Sequence, residues 1–136
     1  MSIDRHIWID VNEEDLIACI HWFQNQFQLR DWLVRFDTSI TPPDEFGDVD
    51  VRKSRALVKI FKFDLEAIIW LPLDRLQEDN DNPYESLIHE LCHIKNTRCE
   101  FDGEEDEILV KIETPLFYML YCYVKRIKRA KNINRK

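Results

Sequence analysis

The sequence predicts a mixed α/β (α+β) fold, a small twisted sheet packed by helices, from three observations. Leu16, Ile17, Ile20, Phe23 and Phe27 recur three and four apart, as one buried face of a helix requires. Three short runs in the middle of the chain, 31–36, 56–63 and 67–71, have the β-branched and aromatic character of strands. Beyond them, the segments 82–96 and 104–131 return to a helical period, and the first opens on strong capping residues.

At 136 residues the chain is read as one domain, 1–136, large enough to bury a single core. Hydrophobic residues make up 45% and charged residues 33%, which excludes a disordered composition. Only two glycines occur, so Gly-rich phosphate-binding loops are not expected. The longest apolar stretch, 116–124, is too short to span a bilayer. The first six residues lack the basic and apolar regions of a signal peptide, so a cytoplasmic location without a membrane partner is expected. Cys19, Cys92, Cys99 and Cys122 form no CxxC pair and are expected to be reduced there.

The net charge of −7 is unevenly spread. Acidic clusters occupy 37–50, 74–85 and 100–106, whereas the last twelve residues, Lys125 to Lys136, carry seven Lys or Arg and no acid. Such a tail can bind nucleic acid. A solvated helix end, with its cations against the negative pole of the dipole, is the stronger expectation.

Taken in order, 7–11 reads as a strand or a helix lead-in. Asn12, followed by Glu13, Glu14 and Asp15, is a capped helix start, and the helix runs to about Gln28. His21, near the edge of its apolar stripe, is expected to be structural. A strand over 31–36 leads into a loop at 41–48, which carries Pro42, Pro43 and Gly47. The run 56–63 interleaves lysines with apolar residues in imperfect alternation, so its buried face stays open. The continuous apolar run 67–71 suits a strand buried on both faces, and Asp64-Leu65-Glu66 suits a hairpin connection. An acidic loop is expected over 72–81. Asn82-Pro83-Tyr84-Glu85 reads as N-cap, proline at the first helical position and glutamate at the third. That helix reaches about Lys95, with Asn96 as its stop. After a loop at 97–103, the last helical segment runs over 104–131, with Pro115 kinking or splitting it.

The helix opened by Asn82 carries His89-Glu90-Leu91-Cys92-His93, the HExxH spacing of zinc-dependent peptidases. Residues four apart stand one turn above one another, so both imidazoles can reach one metal ion. They lie off the apolar arc of Tyr84, Leu87, Ile88, Leu91, Cys92 and Ile94, which fits a core role poorly. Glu90, beside the first histidine, is placed to act as a base on water at that metal.

A catalytic zinc takes three protein ligands and leaves one position open. The HExxHxxGxxH continuation is absent, since Asn96 and Cys99 stand at the relevant places. Cys99 is disfavoured because such sites more often add a carboxylate or a histidine. The acids opening the last helix remain. With Ile108, Leu109, Ile112, Leu116, Met119 and Leu120 as its inward face, Glu105 continues that face and is the expected third ligand. Glu104 and Asp106 lie at its edges as alternatives, and Glu107 points more outward. A solvated acidic turn complementing the dipole accounts for the other three.

These residues resemble a known family, the small zincin-like metallopeptidases encoded by phages and related mobile elements. The resemblance covers Asp31 to about Leu120: Asp31-Trp32-Leu33-Val34, then Ala67-Ile68-Ile69-Trp70-Leu71-Pro72, the HELxH run, and Glu105-Asp106 before Ile108-Leu109. Cys92 and the short loop before Glu104 depart from the usual pattern. The resemblance implies a minimal gluzincin-type fold, with a C-terminal helix closing the site, and supports Glu105 as ligand. It implies a zinc peptidase acting on peptide or protein substrates, in the host cytoplasm if phage-encoded. Glu90 would be its base, and Tyr118, Tyr121 and Tyr123 are candidates for a second oxyanion donor. The competing expectation is a non-catalytic protein that keeps the scaffold and modulates a host factor through its acidic loops or basic tail. The intact Glu90 speaks against it.

Overall fold

Asn12 closes the first helix, α1 (Glu13–Gln26), by accepting the Asp15 backbone N–H at 2.9 Å, one of the donors a helix start leaves unpaired. The computed structural model in which this is seen describes residues 11–48 and 56–134. The segment expected as a strand or lead-in over 7–11 falls outside them except for Val11, as do the last two residues of the basic tail. Helix α1 buries Leu16, Cys19, Ile20 and Phe23 completely or nearly so. It ends as Gln28 takes a left-handed backbone, φ 56°.

Three strands follow: β1 (Leu33–Asp37), β2 (Leu57–Phe61) and β3 (Glu66–Trp70). β1 begins two residues later than expected because the Trp32 N–H turns back to the Leu29 carbonyl at 3.0 Å. The sheet order is β1-β3-β2, with β3 parallel to β1 and antiparallel to β2. A 3-10 turn, Lys62–Asp64, and a left-handed Leu65 join β2 to β3. The central position explains the apolar run of β3: Ala67, Ile69 and Trp70 are wholly buried and Ile68 is nearly so. The Trp70 indole donates to the Ser39 carbonyl at 2.8 Å, which ties down the loop after β1.

The acidic stretch 72–81 is not the simple loop expected. It contains a short helix, α2 (Leu73–Glu78), in which Pro72 stands at the N-cap and the fully buried Leu76 anchors the turn. Proline's fixed φ and this single apolar anchor outweigh the acids around them. Then comes α3 (Pro83–Asn96), whose start is as expected. The Asn82 side chain, itself buried, accepts the N–H groups of Tyr84 at 3.0 Å and Glu85 at 3.2 Å.

The last helix, α4 (Gly103–Asn134), runs unbroken through Pro115. Pro115 lies on the exposed side, where water can satisfy the carbonyl that its missing N–H releases. α4 packs along α3, and α1 lies against α3 as well. The inward face of α4 is the reverse of the expected one. Val110, Thr114 and Tyr121 are buried and Phe117 packs on the core, while Ile108, Ile112, Leu116, Met119 and Leu120 are exposed. Between α3 and α4, Lys95 Nζ stands 2.7 Å from Glu113 Oε2 and lies over the rings of Phe27 and Phe117. The described residues thus form a three-stranded sheet with four helices, and none of the helices is long and apolar enough to cross a membrane.

Candidate metal centre

His89 and His93 stand one turn apart on α3, ring centroids 5.1 Å from each other. The carboxylate of Glu107, in the second turn of α4, meets both. Its Oε1 lies 3.5 Å from His89 Nε2 and its Oε2 3.3 Å from His93 Nε2. One ligand atom from each residue falls within 4.8 Å of the others. Bonds of about 2.0–2.2 Å to a common tetrahedral ion hold ligand atoms roughly 3.3–3.6 Å apart. Each His–Glu separation is of that size, one to each oxygen of the carboxylate, and His89, His93 and Glu107 are close enough together to hold a metal ion.

Glu105, the expected third ligand, is not in this group. Its backbone N–H donates to Asp102 Oδ1 at 2.7 Å and its side chain accepts the Asp102 N–H at 3.3 Å, a reciprocal cap on α4. Glu105 and Glu104 are both exposed. The misplacement follows from the reversed face. Helical spacing from Val110 and Thr114, not from Ile108 and Ile112, leads back to Glu107. The inner stripe of Val110, Thr114, Phe117 and Tyr121 was the signal in the sequence that identifies it.

Asp106 serves the site without joining the group. Its Oδ2 lies 2.7 Å from His93 Nδ1, and its Oδ1 accepts from Asn96 Nδ2 at 3.1 Å. Lys95 donates to Asn96 Oδ1 at 2.8 Å and so orients the amide. A proton on Nδ1 shared with Asp106 leaves the Nε2 lone pair of His93 free toward Glu107.

Burial first, and then the neighbouring His93, hold the His89 imidazole below its ordinary pKa against the opposing pull of Glu107; Lys111, one turn beyond Glu107, adds to the lowering. A neutral imidazole is the form that binds metal. Glu90 is 6% exposed, and burial followed by the charge of Glu107 pushes its carboxyl up to about 8.

The other candidate side chains lead elsewhere. Cys99 is exposed and outside the group, and Cys92 is a buried packing thiol pushed up to about 12, chiefly by desolvation. Tyr118 lies beside Asn82, the N-cap of α3. Tyr121 is packed against Trp22 and Tyr84, and Tyr123 is 62% exposed on the outer face of α4. None of the contacts described for these tyrosines brings a hydroxyl to the histidines. His21, expected to be structural, is exposed on α1.

Comparison with protein-family models, with curated proteins and with solved structures finds no match to the chain.

Proposed function

We propose that the protein is a zinc-dependent peptidase of zincin-like build, related to the small enzymes of phages and mobile elements. The observation that carries this reading is the convergence of His89, His93 and Glu107 beside the buried Glu90. Two imidazoles and one carboxylate are a donor set suited to zinc and leave a tetrahedral ion one open position. Zinc bound there would supply Lewis acidity, lowering the pKa of a water and polarising a substrate carbonyl.

The remaining chemistry belongs to the chain. Glu90 holds its proton in the metal-free fold, where burial pushes its carboxyl up to about 8. The charge of a bound ion would favour the carboxylate, the form that can take a proton from the attacking water and return it to the leaving nitrogen. Asp106 fixes the ring of His93. Lys111, whose charge acts on His89, adds a positive charge to the surroundings of the site. Strand β2 lies at an edge of the described sheet and against α3, so an extended peptide can add to it as a further strand. With the side chains of His89 and Glu107 29% and 42% exposed, the site opens to the surface and suits flexible segments of polypeptide.

The test is digestion of a mixed peptide library by zinc-loaded protein, followed by mass spectrometry. Wild type should cut it, and the Glu90→Gln variant should not. A library left whole by folded, zinc-loaded wild type would remove the peptidase reading.

A further inference from the structure

Helix α4 has two apolar faces, and the core uses one. On the other, Ile108, Ile112, Leu116, Met119, Tyr123 and Ile127 are 55, 58, 59, 68, 62 and 38% exposed. Their intervals of four, four, three, four and four keep them in one line along about five turns. Such spacing makes the seam by which one helix lies along another. Taking ~200 Å² for each large side chain, the stripe leaves roughly 700 Å² of apolar surface open. That exceeds the largest patch of most monomers, about 300–600 Å², and approaches the ~800 Å² that each partner contributes to a stable interface.

Charge along the same helix selects the partner. At its N-terminal end stand the exposed Glu104 and Glu105, and at its C-terminal end the exposed Arg126, Lys128, Arg129 and Lys131. Two copies of α4 laid antiparallel, crossing near Leu116 and Met119, bring Ile108 of each toward Ile127 of the other. The acidic end of each copy then meets the basic end of its partner, twice over. A parallel pair would oppose like charges at both ends. An unrelated acidic or basic partner would be matched at one end only. Self-complementary surfaces of this kind close under a two-fold axis.

We propose that the outer stripe of α4 is a homodimer interface, an antiparallel two-fold helix pair between copies of this chain. The interface is independent of the metal centre and of the activity proposed for it.

Sedimentation equilibrium of the full chain tests the proposal, with circular dichroism to verify folding. Wild type should be dimeric in the micromolar range, and Leu116→Asp/Met119→Asp should be monomeric and folded, since both positions are exposed. Glu104→Lys/Glu105→Lys and Arg126→Glu/Arg129→Glu/Lys131→Glu should each self-associate at least ~tenfold more weakly than wild type, about 1.4 kcal/mol. Mixed together, they should recover the dimer, because opposite charges then meet at both ends. A wild type that stays monomeric into the high micromolar range, whether another partner covers the stripe or none does, overturns the proposal. So does a dimer that survives the Leu116/Met119 substitutions, or a charge-reversed pair that does not recover on mixing.

Discussion

Asp106 Oδ2 stands 2.7 Å from His93 Nδ1, on the nitrogen opposite the one that faces Glu107. Ring orientation at the candidate metal centre is therefore governed from α4, by the residue next to the carboxylate that completes the group. A carboxylate behind a ligating imidazole fixes the ring and raises its basicity, and its loss typically costs 10–100-fold in metal affinity. Asp106→Ala should weaken zinc binding by about that factor while the helical circular dichroism stays unchanged. Competition against a chromophoric chelator measures it, and an unchanged affinity would leave Asp106 without this role.

Glu107 and Glu105, two residues apart, should behave as different kinds of residue. Glu107→Gln removes the anionic ligand and should abolish tight zinc binding with little loss of stability, because the side chain is 42% exposed. Glu105→Gln should keep zinc binding intact, since its work is the reciprocal cap with Asp102, and should cost at most about 1 kcal/mol of stability. Calorimetric zinc titration of both variants decides the matter. Loss of zinc from the Glu105 variant alone would return the third ligand to the sequence-based choice.

Much of the scaffold was legible because local chemistry determines it. Asn12 and Asn82 are caps that need no tertiary context, the run 67–71 is apolar because it is central, and the two histidines share a face by helical spacing alone. What the sequence misassigned was which side of α4 turns inward. Ile108, Ile112 and Leu116 are more apolar than the Glu107, Val110 and Thr114 side, so hydrophobicity favours the wrong face. The inner face is fixed by contacts from distant elements: Tyr121 against Trp22 of α1, Phe117 against Phe27 and Asp106 against His93 of α3. A helix with two apolar faces has no single answer in its own sequence. The same ambiguity displaced the third ligand by two residues.

Lys95 and Glu113 should be coupled. The pair is 2.7 Å apart, with side chains 19% and 14% exposed, and the ammonium lies over two rings between α3 and α4. Glu113→Leu leaves a mostly buried cation without its carboxylate and should destabilise the fold by about 3 kcal/mol. Lys95→Met/Glu113→Leu removes both charges and should recover most of that loss. Urea unfolding of the two variants and of Lys95→Met completes the double-mutant cycle. Strictly additive losses would show that the two charges do not interact.

Glu90 should make the stability of the metal-free protein depend on pH. Its carboxyl, pushed up to about 8 in the fold by burial and by Glu107, has an ordinary value of 4.5. Between those two values the folded protein keeps a proton that the unfolded chain has already released. The folded state then binds more protons than the unfolded one, so stability falls as pH rises through this window. Below it both states are protonated and there is no penalty. Glu90→Gln has no proton to lose, so it should match wild type near pH 4.5 and exceed it by a few kcal/mol by about pH 8. His89, His93 and Glu107 are present in both proteins, so the difference between the two curves reports Glu90. A zinc ion at the neighbouring residues favours the carboxylate form, and adding zinc should flatten the wild-type curve. Urea unfolding of chelator-treated protein across this range is the measurement. If wild type and Glu90→Gln change in parallel over the whole window, Glu90 does not hold an extra proton in the metal-free fold.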